Sequence, residues 1–253
     1  MPSEFAHDRL VGHRGWPAVA PENSLEGMTA ALATGTRWVE FDVQLTSDGV
    51  PIVIHDRGLG RTGTAPTRVL DSDWATLAGA PVHQPSRWGD RYLGAQLPML
   101  TQMVDLIIAQ HHACAFVDVR PQSVRRHGAR ATLDAIAPIC SPAGERLILI
   151  SFDQAFVALA KAASMRCGWI IRSWSEGTCR ALAELSPEFV FCRYDRLPGG
   201  ELPAGPWRWA VYTVDAPDRA LELMARGVQL VETDDIGRMR GELAGLARSP
   251  LGG

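Results

Sequence analysis

The stretch of residues 10–56 constrains the fold of this chain more than any other part of the sequence. Three apolar runs within it each meet a polar cluster, near residues 13, 40 and 55. Short apolar runs that end in polar residues are typical of buried β-strands, so we expect these clusters to lie on strand ends. The side chains that could take part in chemistry there are His13, Arg14, Glu40, Asp42 and His55.

Glu40 and Asp42 are two residues apart in an apolar run, so a strand would point both side chains to the same face. Two carboxylates on one face repel each other, and burial makes it more costly to keep both ionised. A hard divalent cation would relieve both costs, which favours Mg²⁺ or Ca²⁺ over zinc. The alternative is a solvated outer face above a buried apolar one, and the flanking histidine clusters favour the metal site.

Four short motifs follow one another in this stretch. They are HRG from residue 13, APENS from residue 20, ExD from residue 40 and HD from residue 55. In this order and at these separations the sequence resembles the glycerophosphodiester phosphodiesterase family. Softer similarities to the same family extend over nearly the whole chain: SFD from residue 151, YTVD from residue 212 and TD from residue 233.

The resemblance implies metal-dependent hydrolysis of small glycerophosphodiesters to glycerol 3-phosphate and an alcohol, within glycerol and lipid metabolism. It implies one divalent cation, Mg²⁺ or Ca²⁺ with Mn²⁺ also suitable, held by Glu40, Asp42 and Asp118. His13 and His55 would be the general acid and base, because imidazole titrates near neutrality, with an unperturbed pKa of about 6.5. It further implies that the substrate's own glycerol hydroxyl attacks first, through a cyclic phosphate. The sequence leaves open which histidine is the acid and which the base.

The pair Asp118 and Arg120 departs from the family, which usually has Glu-x-Lys at this place. Aspartate is shorter than glutamate by one methylene, roughly 1.5 Å of reach, which could shift the ion or add a water ligand. Arginine keeps the positive charge and adds a bidentate fork suited to phosphate. The alternative interpretation is a structural ion pair at a strand end.

The resemblance also assigns residues to the substrate. Arg14 and Arg120 would neutralise the phosphate, and Tyr212, Ser151 and Trp88 would line the rest of the pocket. Other matching residues are interpreted as structural: Glu22 and Asn23 as supporting and helix-capping residues, with Asn23 at the N-cap, and Thr233-Asp234 as a loop.

The second half of the chain alternates predicted strands with predicted helices, which is typical of a parallel sheet. Together with the strands at residues 10 and 38 there are eight strands, so we predict an α/β fold, a TIM-type (β/α)8 barrel spanning residues 1–253 as one domain. Active sites of such barrels lie at the C-terminal ends of the strands. The later strands are predicted at 113–119, 147–150, 168–172, 188–192, 209–214 and 228–232.

Residues 57–97 interrupt this alternation. They are rich in glycine and proline and contain Trp74, Trp88 and Tyr92. A long segment of this kind in a compact domain is usually functional, and the resemblance implies a cap subdomain inserted after the second strand. The alternative is a packed surface excursion whose aromatic side chains fill a minor core.

Composition limits the remaining possibilities. The chain has 253 residues and a net charge of −3, which gives no reason to expect nucleic acid as a partner. We find no apolar run long enough to span a bilayer and no signal peptide in residues 1–10. The five scattered cysteines are expected to be free thiols, which favours a cytoplasmic location. The sequence does not indicate an oligomeric state.

Two other functions are compatible with these motifs. One is a related barrel phosphodiesterase acting on lysophospholipids. The other is a barrel without turnover that binds a phosphodiester. The departures at Asp118 and Arg120 favour the second, and the presence of both histidines argues against it.

Overall fold

The protein folds into a closed parallel β-barrel, as predicted. The computed structural model describes residues 6–248, so part of the stretch predicted to lack a signal peptide, residues 1–5, lies outside the described residues. In the described residues the strands are β1 Leu10–Gly12, β2 Trp38–Leu45, β3 Pro51–Val53, β4 Cys114–Val119, β5 Leu147–Ser151, β6 Cys167–Ile171, β7 Phe189–Arg193, β8 Arg208–Tyr212 and β9 Leu230–Thr233. Their order in the sheet is β1-β9-β8-β7-β6-β5-β4-β2-β3, and β1 also pairs with β2, which closes the ring.

Helices follow most of the barrel strands and cover them from outside. Their apolar faces and the outer faces of the strands form the main hydrophobic cluster, while a second cluster of large side chains fills the barrel interior. In the described residues the helices are α1 Leu25–Ala33, α2 Trp74–Leu77, α3 Pro85–Trp88, α4 Leu100–Ala109, α5 Pro121–His127, α6 Ala129–Cys140, α7 Gln154–Ala162, α8 Glu176–Leu185, α9 Pro217–Ala225 and α10 Ile236–Arg248.

The later strands begin and end within two residues of the predicted positions. β3 pairs with β2 in antiparallel orientation and therefore stands outside the parallel ring. Helices α3 and α5 fall where no helix was predicted. All five cysteines are free, and four of them are buried. Among the described residues no helix is both long and apolar enough to span a bilayer.

The register of the strands places the predicted acids at the same level along the barrel axis. β2 and β4 pair in parallel, with Asp42 directly opposite Asp118. All eight residues of β2 are buried, so the ExD acids lie inside the protein and not on a solvated outer face. The metal-site interpretation is therefore the one that the fold permits.

The N-terminus of α1 differs from the prediction. Asn23 was expected to be the N-cap, and this is wrong: the cap is Ser24, whose Oγ accepts a hydrogen bond from Gly27 N at 2.9 Å. Asn23 instead faces the barrel, where its Nδ2 donates to Asp42 Oδ2 at 2.8 Å and its Oδ1 accepts from Asp42 N at 3.0 Å. The buried carboxylate of Asp42 requires hydrogen-bond donors, and the Asn23 side chain supplies one, so it does not cap the helix.

The insert, residues 57–97, lies between β3 and α4 and has its own small core. Leu59, Val69 and Leu77 pack with apolar side chains at the end of β3, and Trp74 and Tyr92 are half-buried against them. The insert is tied to the loop after β1 by a hydrogen bond from Tyr92 Oη to Val19 O of 2.5 Å. It therefore stands beside the barrel mouth, and some of its aromatic residues fill a minor core.

The turn that follows β1 is held in an unusual backbone conformation. Arg14 has φ of +53° and Gly15 has φ of +84°. A Cβ atom on Gly15 would lie 2.7 Å from Gly27 C and 2.8 Å from Met28 N, both backbone atoms of α1. Only glycine fits there, because the turn must pack directly on the helix.

We predict that Gly15→Ala lowers the free energy of unfolding by about 3 kcal/mol, because it adds a backbone clash to an unfavourable φ. Gly35→Ala is the matched control, since Gly35 also has positive φ, +73°, but nothing lies within 4 Å of its Cβ position. That control should cost only about 1 kcal/mol. Urea unfolding of both variants tests this, and equal losses would contradict the packing of the turn on α1.

Candidate active site

A cavity of 190 Å³ opens at the C-terminal end of the barrel strands. One wall is charged and the other is mainly apolar. The charged wall consists of His13, Arg14, Glu40, Asp42, His55, Asp118, Arg120 and Glu232. The opposite wall consists of Ile150, Phe152, Ile170, Phe191, Tyr212 and Thr213.

Glu40, Asp42 and Asp118 form a compact group of acids at the bottom of the charged wall. All three are buried, and one carboxylate oxygen from each lies within 4.8 Å of the others. Asp118 Oδ1 is buried without a hydrogen-bond partner. Three hard oxygen donors in this arrangement, one of them unsatisfied, fit a divalent cation such as Mg²⁺ or Ca²⁺.

Two arginines partly balance these acids. Arg120 Nη1 lies 2.5 Å from Asp118 Oδ2 and 3.2 Å from Asp42 Oδ1. Arg14 approaches from the other side, with Nε 3.1 Å from Asp42 Oδ2. The backbone N–H of Arg14 also donates to Glu40 Oε2 at 3.0 Å, which the positive φ of this residue permits. Asp42 is thus the acid with the most cationic surroundings.

The pKa values of the acids follow from this arrangement. For Asp42, burial favours the neutral form, but Arg14 and Arg120 outweigh it and lower the pKa to about 2. For Asp118, burial exceeds the effect of Arg120, and Asp42 adds repulsion, which together raise the pKa to about 6. For Glu40, burial and then repulsion from Asp42 raise the pKa well above its usual value.

The two histidines make the same kind of contact. His13 Nδ1 lies 2.7 Å from Asp234 Oδ1, and His55 Nδ1 lies 2.7 Å from Asp56 Oδ1. A carboxylate at Nδ1 fixes the ring orientation and leaves Nε2 as the nitrogen available to a ligand. His13 Nε2 lies 4.0 Å from Glu40 Oε2, at the edge of the acid group.

Asp234 was interpreted as part of a structural loop; it does lie in the loop after β9, and its carboxylate also contacts His13 directly. The signal was present in the sequence, since Asp234 lies two residues after the last predicted strand, near the end where barrel enzymes place functional side chains. The contact is long-range in sequence, however, and only closure of β9 against β1 produces it.

Glu232 is a fourth buried acid that the motifs did not indicate. It is the penultimate residue of β9, lines the same cavity and is 3% exposed. Its Oε1 has no hydrogen-bond partner. Burial, then repulsion from Asp118 and Asp42, raise its pKa well above the usual value. A glutamate that interrupts the apolar run of the last strand was the available signal.

A second group of charges connects the site to the insert. Glu22 accepts from Arg14 Nη1 at 2.8 Å and from Arg61 Nη1 at 2.6 Å. Arg61, in the insert, also binds Asp56 through Nε at 2.7 Å. The hydrogen bond from His55 and the contact with Arg61 lower the pKa of Asp56, against the effect of burial. Glu22 therefore supports the site, as expected, and the insert holds the partner of His55.

The structure brings most of the predicted site residues together, with two exceptions. Ser151 is fully buried, and its Oγ donates to Val119 O at 2.6 Å, so it holds β5 against β4 and does not line the cavity. Trp88 packs against Tyr92 in the insert, with ring centroids 5.6 Å apart, and is also absent from the cavity wall. Tyr212 does line the cavity.

Residues 13–167 match the model of the Glycerophosphoryl diester phosphodiesterase family. Glycerophosphodiester phosphodiesterase 1 of Mus musculus is 30% identical over 110 residues, 44% of this chain and 33% of the relative. Probable glycerophosphodiester phosphodiesterase 1 of Mycobacterium tuberculosis is 32% identical over 164 residues, 60% of this chain and 59% of the relative. The matched part thus spans about a third of the mouse protein and over half of the mycobacterial one.

The fold is also similar to solved structures. An Oleispira antarctica phosphodiesterase, in complex with the product sn-glycerol-3-phosphate, superposes with a TM-score of 0.83 at 21% identity, covering 92% of this chain and 95% of that one. A Silicibacter pomeroyi protein described as a putative glycerophosphoryl diester phosphodiesterase gives a TM-score of 0.80 at 22% identity, covering 98% and 99%. At these identities the similarity concerns the fold.

We predict that Mg²⁺ raises the melting temperature more at pH about 8 than at pH about 5.5, because cation and protons compete for the carboxylates. The raised pKa values of Glu40, Asp118 and Glu232 mean that the folded acids hold protons which the unfolded acids have lost. In metal-free protein the stability that these protonated acids contribute is therefore lost as the pH rises. For Asp118 the loss occurs as the pH passes through its folded-state pKa of about 6. A bound cation should offset that loss.

Differential scanning fluorimetry at both pH values, with Mg²⁺ or EDTA, measures this effect. Asp134→Asn, an exposed acid on α6, is the control and should behave like the unmodified protein. Asp118→Asn should reduce both the shift in melting temperature and its dependence on pH. Equal shifts at both pH values would contradict a cation held by these acids.

Proposed function

Because the chain belongs to the glycerophosphoryl diester phosphodiesterase family, we propose that it hydrolyses small glycerophosphodiesters to glycerol 3-phosphate and an alcohol. One observation supports this above all others. Two histidines, each with Nδ1 bonded to an aspartate, stand in one cavity with a buried group of acids. This arrangement offers two proton-transfer groups and a site for a cation, as cleavage of an anionic ester requires.

The acids Glu40, Asp42 and Asp118 would hold one divalent cation. When bound, it would offset the negative charge of the phosphate. Asp118 Oδ1 has no hydrogen-bond partner, and the backbone N–H of Arg14 donates to Oε2 of Glu40, so Asp118 Oδ1 and Glu40 Oε1 would be the oxygens open to the cation. Arg120 donates a hydrogen bond to the other oxygen of Asp118, Oδ2, and so orients this side chain, which is shorter than the usual glutamate.

Arg14 and Arg120 would serve the phosphate as well as the acids. Both guanidinium groups line the cavity. The N–H groups that do not contact Asp42, Asp118 or Glu22 can donate to phosphate oxygens, and arginine suits this by its planar fork. Their charges would also hold the substrate against repulsion from the four buried acids.

The histidines would transfer the protons. In the first step the glycerol hydroxyl next to the ester attacks phosphorus, and its proton passes to Nε2 of one histidine. The bond from phosphorus to the alcohol oxygen breaks, and the other histidine donates a proton to that oxygen. Water then opens the cyclic phosphate with the two roles exchanged. Asp56 and Asp234 orient the rings and stabilise the imidazolium forms.

Hydrolysis of glycerophosphocholine followed by ³¹P NMR tests the proposal. The diester signal should be replaced by that of glycerol 3-phosphate, with choline released in equal amount. No conversion of glycerophosphocholine or of glycerophosphoglycerol, whose alcohol part is uncharged, with Mg²⁺, Mn²⁺ or Ca²⁺ present, would contradict it. A cytoplasmic place in glycerol and lipid metabolism stays a prediction from sequence.

We predict that His13→Gln and His55→Gln each lower kcat by roughly 10²–10⁴-fold, the usual range for loss of a general acid or base. Asp234→Asn should also lower kcat, with a smaller loss, because the ring of His13 remains but its orientation is weakened. His111→Gln, an exposed histidine outside the cavity, is the control. Near-normal kcat in His13→Gln or His55→Gln would remove that histidine from the mechanism.

A further inference from the structure

A second hollow adjoins the cavity at the barrel mouth, and its walls are basic. It has a volume of 400 Å³ and is lined by Phe152, Arg172, Ser173, Arg193, Arg196 and Tyr212. Phe152 and Tyr212 also line the catalytic cavity, so the two spaces share a wall. A substrate whose phosphodiester lies among the acids and histidines could extend directly into this hollow.

The three arginines converge there because of the topology. Arg172 directly follows β6, Arg193 ends β7, and Arg196 lies in the 3₁₀ turn after β7. β6 and β7 are parallel neighbours, so these residues leave the sheet at the same end as the catalytic groups. The hollow is thus part of the active-site face of the barrel.

Two of these three arginines are not neutralised by an ion pair. Among residues 6–248, Arg193 pairs with Asp195, whereas Arg172 and Arg196 form no ion pair. The guanidinium of Arg172 lies 5.0 Å from the ring centroid of Phe152, which holds it beside the catalytic cavity. None of the side chains that line the hollow is a carboxylate. The three side chains are exposed, so water screens their mutual repulsion in part, and an anion bound between them would offset the rest.

The catalytic cavity has the opposite balance, with four carboxyl groups and two guanidinium groups. One cation in that cavity would explain its excess of acids, but it would not explain the arginines of the hollow. We infer that the hollow is a subsite for a second anionic group, a phosphate monoester or carboxylate on the alcohol part of the substrate. This rests on the proposed function and adds its substrate class: glycerophosphodiesters whose alcohol is itself anionic.

Two substrates that differ by one phosphate test this inference: glycerophosphoinositol and glycerophosphoinositol 4-phosphate. With Mg²⁺, we expect kcat/KM to be roughly tenfold higher for the phosphorylated compound, the size of one good charge-assisted hydrogen bond. The double variant Arg172→Gln/Arg196→Gln should reduce this preference to near one. Arg125→Gln/Arg180→Gln removes the same charge from exposed helix positions and should keep the preference.

Binding measured by calorimetry with Mg²⁺ in the variant His13→Gln/His55→Gln separates the subsite from turnover, because the cation is kept and the proton-transfer groups are removed. In this variant the phosphorylated compound should bind more tightly than glycerophosphoinositol, and adding Arg172→Gln/Arg196→Gln should make the two affinities equal. If both compounds are hydrolysed with equal kcat/KM, the subsite is wrong and the proposed function stands. If neither is hydrolysed but binding differs as expected, the proposed function is wrong and the subsite stands. Equal or undetectable binding of both compounds overturns the subsite.

Discussion

The burial of four carboxyl groups at the barrel mouth is the constraint on which the rest of the site depends. Glu40, Asp42, Asp118 and Glu232 are each no more than 5% exposed. Buried charges are costly unless they are paired, and among residues 6–248 the arginines that pair with these acids are Arg14 and Arg120. The protein can meet this cost in three ways: by protonating some acids, by binding a cation, or by arranging N–H donors around them. The raised pKa values of Glu40, Asp118 and Glu232 favour the first, and the backbone N–H of Arg14, which donates to Glu40, is an example of the third.

The loops at the barrel mouth take their form from these acids. Arg14 adopts positive φ and donates its backbone N–H to Glu40, and Gly15 then lets the chain pass against α1. Asn23 also has positive φ and gives its amide to Asp42. Strained backbone of this kind costs about 1–3 kcal/mol per residue and persists where its surroundings hold it in place. Here the buried carboxylates and α1 do so, which explains why the motif places HRG and PEN close to the ExD strand.

The spacing of polar and apolar residues along the chain predicted the features that depend on contacts between residues near one another in sequence. Alternation in β2 put Glu40 and Asp42 on one face, and strand and helix periods gave the eight-stranded ring, because burial of apolar faces follows sequence spacing. Contacts made by closure of the barrel could not be predicted in this way. Asp234 meets His13 across 221 residues, and Glu232 joins the acids only when β9 pairs with β1. Ser151 and Trp88 were assigned from motif and residue type, but backbone acceptors and ring packing determine where they lie.

The central claim is that the buried acids bind one divalent cation on which turnover depends. Titration of EDTA-treated protein with Mn²⁺, with bound metal and the rate of glycerophosphocholine hydrolysis measured on the same samples, tests it most directly. The account predicts that the rate rises in proportion to occupancy of one site per chain, and that Asp42→Asn weakens both together. Full turnover in protein that contains no bound divalent metal would contradict it.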